Sequence, residues 1–245
     1  MTALAELKAQ VAEANIAIHQ AGLVTLSFGN VSGVDRDAGV LVIKPSGVPY
    51  GSLTADDMVV VSLDDGRSVD GFLRPSTDTP THRLLYRELA GIGGVVHTHS
   101  PAASAWAQAG RPIPCLGTTH ADYFRGDVPV TRPMRPAEIA GDYEWETGRL
   151  MVETLREGGR TPEDAPAVLV ASHGPFTWGR SPAAAVEAAV ALEAIALLAL
   201  RTLQIEASTS EIGGELRTRH FDRKHGDAAY YGQPQAPRSG RPDPC

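Results

Sequence analysis

Cysteine is nearly absent: Cys115 and Cys245 are the only two in 245 residues, too few for a disulfide framework or a zinc ribbon. An excess of positive charge is absent as well. With 22 Lys and Arg against 29 Asp and Glu the net charge is −7, so the chain has no reserve of basic residues for displacing counterions from nucleic-acid phosphates. A small anionic ligand held by a few local donors remains compatible with that charge. The N-terminus, MTALAELKAQVAEANIAI, has no basic segment followed by an apolar block, so no export signal is read there. Nor is there a long apolar run free of charge. The stretch AAAVEAAVALEAIALLAL from Ala183 approaches membrane-spanning length, but it is alanine-rich and carries Glu187 and Glu193, which favours a buried helix. These absences indicate a soluble protein of a reducing compartment, the cytoplasm. No Ser/Gly linker, charge block or fixed-period repeat divides the chain, so a single domain is expected over residues 1–233. Residues 234–245 are rich in Pro, Gly and Arg, cannot bury enough surface to offset ordering entropy, and are expected to be disordered.

What is present reads as alternating helices and strands. Leu4, Leu7, Val11, Ala14 and Ile18 recur at helical spacing, and Gly22 offers a stop. VLVIKPSG (40–47) and MVVVSL (58–63) are short β-branched runs bounded by turn residues and read as strands. Asp78-Thr79-Pro80 begins a helix that should reach about Ala90. GGVVHTH is the next strand, Ser100-Pro101 starts another helix, and VLVAS (168–172) is a strand ending at His173-Gly174-Pro175. Ser181-Pro182 caps the alanine-rich helix. The alternation indicates a layered α/β protein without fixing strand order.

The histidines are the first candidate chemistry. On a strand His97 and His99 project to one side and Thr98 to the other, a geometry that suits two imidazoles on one metal ion, although taken alone the pair more often closes a strand as two polar residues. His173 ends another apolar run, where α/β folds place their chemistry, and makes a third imidazole available. Asp78, at a helix N-terminus, reads from the residues alone as a cap, with metal ligation as the alternative. Three histidines, with or without a carboxylate, suit zinc, and a catalytic zinc needs one position left open. His82, His120, His220 and His225 lack such a pairing. Three stretches offer anion donors: Lys44-Pro45-Ser46-Gly47 after a strand, Ser76-Thr77 before a helix, and Gly29-Asn30 in a Ser/Gly turn. None is a P-loop, and each taken singly is more often an ordinary turn.

The motifs SFGNVS, VIKPSGV, TADDMVVV, PSTDTPTHRLLY, GGVVHTHS, GTTHADYF, GDYEWET, SHGPFTWG and KHGDAAYYGQ together resemble the L-ribulose-5-phosphate 4-epimerases of the class II aldolase/adducin superfamily. The resemblance extends from about residue 5 to Gln233. It implies a three-layer α/β/α sandwich around a mixed, largely antiparallel central sheet, in a cytoplasmic homotetramer with active sites between subunits and no nucleic-acid or membrane partner. It implies one Zn²⁺ per subunit at His97, His99 and His173, with Asp78 in the fourth metal position, and Mn²⁺ or Co²⁺ as possible substitutes. Gly29, Asn30, Ser46, Gly47, Ser76 and Thr77 fall on its substrate-binding positions, Lys44 beside the phosphate, and Asp122 and Tyr231 on its acid/base pair. Read without the resemblance, Asp122 is a turn carboxylate and Tyr231 a packing tyrosine. Thr77 departs from the family's Ser-Ser before the metal aspartate, adding a methyl group. Four metal ligands also sit uneasily with an open site, so Asp78 is expected to bind weakly or to move when substrate chelates.

The activity implied is an isomerase reaction of carbohydrate catabolism, in the breakdown of L-arabinose or of L-ascorbate and related sugar acids. The hydrogen on C4 of a ketose phosphate is not beside the carbonyl, so inversion by deprotonation has no electron sink. Cleaving C3–C4 and re-forming it on the other face of the aldehyde avoids the problem, and needs a proton acceptor on each face of C4. The nearest rival is an aldolase of the L-fuculose 1-phosphate type, against which stand the short Asp78, where those aldolases typically place Glu, and the THADYF block. A noncatalytic scaffold of the adducin type need not keep three histidines.

Overall fold

The computed structural model describes residues 2–226 and 229–231; the tail expected from residue 234 and the domain limit at 233 lie outside them. The helices are α1 (Ala3–Gln20), α2 (Thr79–Glu88), α3 (Pro101–Gln108), α4 (Thr118–Ala121), α5 (Pro136–Ala140), α6 (Tyr143–Glu157), α7 (Pro182–Ile205) and α8 (Gly214–His225). The strands are β1 (Asn30–Asp35), β2 (Val40–Ile43), β3 (Val59–Ser62), β4 (Ser68–Asp70), β5 (Gly94–His97), β6 (Ala167–Val170) and β7 (Gly174–Gly179).

The strands form one sheet in the order β4-β3-β2-β1-β5-β7-β6, antiparallel at each pairing of these strands. Parallel geometry enters at the isolated bridge between Val130 and Leu169. Alternation along each strand fills both faces. Leu41, Ile43, Val59, Val61, Val95, Phe176 and Trp178 pack on the α2 and α6 side with Leu85 and Met151. Their neighbours Val42, Val60, Val96 and Val31 pack on the other side with Val11 and Ile18 of α1 and Ala185 of α7. These two covered faces make the expected three-layer α/β/α sandwich.

Three strands, β1, β4 and β7, and several helices were not expected. β1 is a strand where Gly29-Asn30 read as a turn: its sequence NVSGVD carries only two large apolar residues, so the apolar run that marked its neighbours is missing. The run before His173 ends in a hairpin, not a loop, and β7 returns through Gly174-Pro175-Phe176. Its Gly and Pro read as strand breakers, yet it is flanked on both sides by β5 and β6.

Helix α7 is long and apolar enough to cross a membrane by length and composition, but its Glu193 has a partner in the fold. The carboxylate accepts from the backbone N–H groups of Ala102 at 2.7 Å and Ala103 at 2.9 Å, closing the N-terminus of α3, the helix that follows the paired histidines. The start of α7 meets the sheet over a row of glycines: Gly33, Gly94 and Gly179 are cross-strand partners on β1, β5 and β7. A Cβ on Gly94 would stand 2.5 Å from the Pro182 nitrogen and the Ser181 carbonyl oxygen, and one on Gly179 2.7 Å from the Ala184 carbonyl carbon.

Because those neighbours are backbone atoms that cannot rotate away, Gly94→Ala is expected to lower stability by about 3 kcal/mol. Urea denaturation of the variant beside the unsubstituted protein measures the loss.

Candidate metal centre

The rung of the sheet that ends β5 places the candidate centre. Asn30 of β1 is opposite His97, and His97 is opposite Phe176 of β7. The His97 ring stacks on Phe176 with centroids 4.1 Å apart. Two residues beyond His97, His99 returns its ring to the same side, and its Nε2 lies 3.0 Å from His97 Nε2. His173 comes from the β6–β7 hairpin, held by its N–H to the Val170 carbonyl at 3.0 Å after Ser172, whose φ is +62°. The three rings are 4.8 to 5.1 Å apart between centroids, and one ligand nitrogen from each lies within 4.8 Å of the others.

The donor set fits a divalent ion. His97 Nδ1–H donates to the Pro175 carbonyl at 3.0 Å, which assigns the lone pair to Nε2, the atom facing His99. Burial holds His97 neutral, pushing its pKa down to about 3 against the opposing pull of Asp78. Burial also lowers His173. Neutral imidazoles with converging lone pairs repel unless a cation lies between them. His99 is exposed and His173 half-buried, so one side opens to the cavity, as a catalytic metal position requires.

That cavity, about 420 Å³, is also lined by Gly29, Asn30, Lys44, Ser46, Gly47, Ser76, Thr77 and Asp78. The Asp78 carboxylate makes no capping hydrogen bond to α2; it accepts instead from Asn30 Nδ2 at 2.6 Å. It lies outside the tight three-nitrogen cluster. Burial works against its ionisation, but the His97 and His82 rings and the Asn30 amide outweigh burial and hold its pKa below the ordinary carboxylate value. Lys44 is 1 % exposed. Its ammonium donates to the Pro45 carbonyl at a long 3.3 Å and sits 4.8 Å from the Tyr50 ring centroid; burial lowers its pKa. Gly29 has φ +79°, and a Cβ there would meet the His97 carbonyl oxygen at 2.7 Å, so this turn admits no side chain.

Asp122 and Tyr231 are not among the residues lining the cavity. Each instead contacts Arg223 of α8. Arg223 donates to both Asp122 carboxylate oxygens, from Nε at 2.8 Å and Nη2 at 2.6 Å, and its guanidinium lies 5.0 Å from the Tyr231 ring centroid. His220 Nδ1 is 3.0 Å from the same carboxylate. Burial raises the Asp122 pKa, but the hydrogen bonds from Arg223 and His220 outweigh it and hold the group ionised. The cavity also contains residues to which the sequence reading gave no role: Phe28, Tyr143 and Glu144. Tyr143 OH approaches His173 Nδ1 at 3.5 Å. Its signal was the GDYEWET motif, whose tyrosine and glutamate open α6 at the cavity rim.

Residues 9–200 match the model of the family described as Class II Aldolase and Adducin N-terminal domain. Solved structures share the fold. An L-fuculose 1-phosphate aldolase superposes with a TM-score of 0.75 at 20 % identity, covering 91 % of this chain and 97 % of its own. YgbL from Klebsiella pneumoniae, a candidate aldolase/epimerase/decarboxylase, gives 0.69 at 26 % identity over 89 % and 99 %. The L-fuculose-1-phosphate aldolase of Thermus thermophilus gives 0.65 at 24 % identity over 85 % and 100 %.

The buried imidazoles set the acid limit of the metal-free fold. His82 and His120, like His97, are held neutral chiefly by burial, with pKa values pushed down to about 4. Each therefore gains its proton near pH 6.5 when unfolded and only near pH 3 to 4 when folded, so its stabilising contribution is full above about pH 6.5 and shrinks as pH falls. Metal-free protein is expected to lose several kcal/mol between pH 7 and pH 5 in urea denaturation. His120→Gln, outside the cavity, should flatten that fall by about one proton's worth.

Proposed function

The chain belongs to the class II aldolase and adducin family, and from that premise we propose that it is a metal-dependent sugar-phosphate enzyme, a zinc-dependent 4-epimerase interconverting L-ribulose 5-phosphate and D-xylulose 5-phosphate. One observation carries the epimerase reading: Asp122 and Tyr231, more than a hundred residues apart, are gathered at one place by Arg223. An epimerisation at C4 needs two proton-transfer groups, one for each face.

The chain's own residues divide the work. The buried ammonium of Lys44, the hydroxyls of Ser46, Ser76 and Thr77 and the turn at Gly47 form the wall that would grip the phosphate. That grip retains the aldehyde fragment while it turns. His97, His99 and His173, with Asp78 beside them, would hold the ion. Zinc there, or Mn²⁺ or Co²⁺ in its place, would supply Lewis-acid stabilisation of the negative charge that develops on the substrate. Asp122 or Tyr231 takes the C4 hydroxyl proton, C3–C4 breaks to an enediolate and glycolaldehyde phosphate, the aldehyde rotates, and the other group returns a proton after re-addition. Because Asp122 and Tyr231 lie off the cavity of their own chain, the reading requires a homotetramer in which one copy completes the site of the next. It places the enzyme in the cytoplasm.

A second reading, a sugar-phosphate aldolase, is favoured by the L-fuculose 1-phosphate aldolases among the solved relatives. It would use the same cavity and release the two fragments. A coupled assay with L-ribulose 5-phosphate, following D-xylulose 5-phosphate, is expected to show activity that chelator abolishes and zinc restores. No product from zinc-loaded protein, with cleavage of L-fuculose 1-phosphate instead, would replace the epimerase by the aldolase.

Sharing of sites has its own test. Tyr231→Phe and His97→Asn homotetramers are each expected to be inactive, while mixed tetramers should recover part of the activity. Confirmed mixed tetramers with no recovery would count against a site built from two copies.

A further inference from the structure

Two donors of the cavity wall, Gly29 and Lys44, come from separate pieces of chain, and Tyr50 touches both pieces. It stands in the connection from β2 to β3 and is 3 % exposed. Its hydroxyl donates to the carbonyls of Phe28 at 2.9 Å and Gly29 at 2.8 Å, in the connection from α1 to β1. One proton serves both acceptors. The Lys44 ammonium, just past the end of β2, lies 4.8 Å from the centroid of the Tyr50 ring. The His19 ring, from the last turn of α1, stacks on the same ring at 5.3 Å between centroids.

Both pieces need that support. Leu26 and Gly29 have φ of +55° and +79°, and at Leu26 the left-handed region is disfavoured by its Cβ. Leu26 is 76 % exposed, so burial of its side chain does not hold the segment. A trans peptide unit directs its N–H opposite to its carbonyl, so fixing the Phe28 carbonyl sets the direction of the Gly29 N–H. Gly29 lines the cavity, and its N–H has no hydrogen-bond partner among the described residues. Lys44 is likewise short of partners. Its buried ammonium carries three protons and makes one hydrogen bond among the described residues, to the Pro45 carbonyl at 3.3 Å. The Tyr50 ring offers that charge an aromatic face where a carboxylate would neutralise it, which leaves the charge available to an anion.

We propose that Tyr50 is a positioning residue of the anion site: it holds the Gly29 N–H and the Lys44 ammonium as donors to one phosphate while making no contact with that phosphate itself. Tyr50 is not among the residues lining the cavity. The proposal rests on the sugar-phosphate reading above. Its competitor is a core residue, because Tyr50 belongs to the apolar cluster that contains Val11 and Ile18 of α1. A core role weakens the whole cavity together, whereas the positioning role weakens the anion site alone.

Two substitutions separate these roles: Tyr50→Phe deletes the hydroxyl and keeps the ring, and Tyr50→Leu deletes both. Inorganic phosphate is titrated calorimetrically into the metal-free full chain in the presence of chelator, so that no metal competes for it. Binding should weaken about fivefold in Tyr50→Phe, as expected for one neutral hydrogen bond, and about twentyfold or more in Tyr50→Leu. Zinc affinity, measured by competition with a chromophoric chelator, should stay within about twofold of the unsubstituted protein in both. Phosphate binding unchanged in Tyr50→Phe, no further loss in Tyr50→Leu, or zinc and phosphate weakened alike would each overturn the proposal while leaving the anion site standing. An unsubstituted chain that binds no phosphate would remove the phosphate grip as well and leave the metal centre to its own test. Spectra of isotope-labelled, unsubstituted, metal-free protein do not depend on the variants folding. The Gly29 amide and the Lys44 ε-methylene signals should both move on addition of phosphate with one dissociation constant; a response from only one of them, or two different constants, overturns the assignment.

Discussion

The candidate centre depends on one rung of the sheet, Asn30 opposite His97 opposite Phe176 across β1, β5 and β7. Side chains alternate with a period of two, so a slip of one residue would turn His97 into the α1 and α7 layer and Val96 into the cavity. Both faces of the sheet are covered, which makes such a slip costly in buried apolar surface. The other end of β5 fixes the same register independently. The Gly33, Gly94 and Gly179 rung fits beneath the entry of α7, where a Cβ on any of the three would stand 2.5 to 2.8 Å from its nearest neighbour. α7 in turn supplies Glu193, which secures α3 directly after His99. Strand pairing thus places His97 directly, while His99 follows the end of β5 and His173 stands in the tight turn between β6 and β7.

The cavity carries partners for ions of both signs. Burial keeps His97 and His173 as neutral donors and lowers Lys44 without removing it from the cavity wall. Asp78 is the counterweight, held ionised against burial by the rings and the Asn30 amide around it. A cation would be met by the three imidazole nitrogens with Asp78 beside them, and an anion by the Lys44 ammonium and the neighbouring hydroxyls. Stability and function are coupled here through the same groups, since the burial that keeps the imidazoles neutral also opposes their protonation in the folded chain.

The layering was legible in the sequence because its signals are apolar periodicities: LVI and VVV runs alternate between the two cores, and the alanine-rich helix announced burial by composition. β1 and β7 were not legible. NVSGVD and GPFTWG derive their strand character from pairing on both sides, not from local propensity. Asn30 was therefore placed in a turn, although as the first residue of β1 it faces His97. The meeting of His97, His99 and His173 was readable from strand alternation and strand ends. Asp78 read as a cap from its position before Thr79-Pro80, and only tertiary contact reveals that its carboxylate turns to Asn30 instead. Asp122 and Tyr231 came from family resemblance alone, since nothing local predicts that Arg223 gathers them. The buried contacts of Ser32 Oγ with His82 Nδ1 at 2.7 Å and the Tyr86 hydroxyl at 2.8 Å had no local signal either, because strand and helix partners must be seen together.

The proposed chemistry depends on a metal ion among three imidazoles, and the direct test is metal analysis combined with X-ray absorption of the purified protein. One zinc per chain with three imidazole nitrogens around it, reduced to traces in His173→Asn, is the predicted result. Protein that carries no metal after zinc loading, or a bound ion whose surroundings show no imidazole, would contradict it.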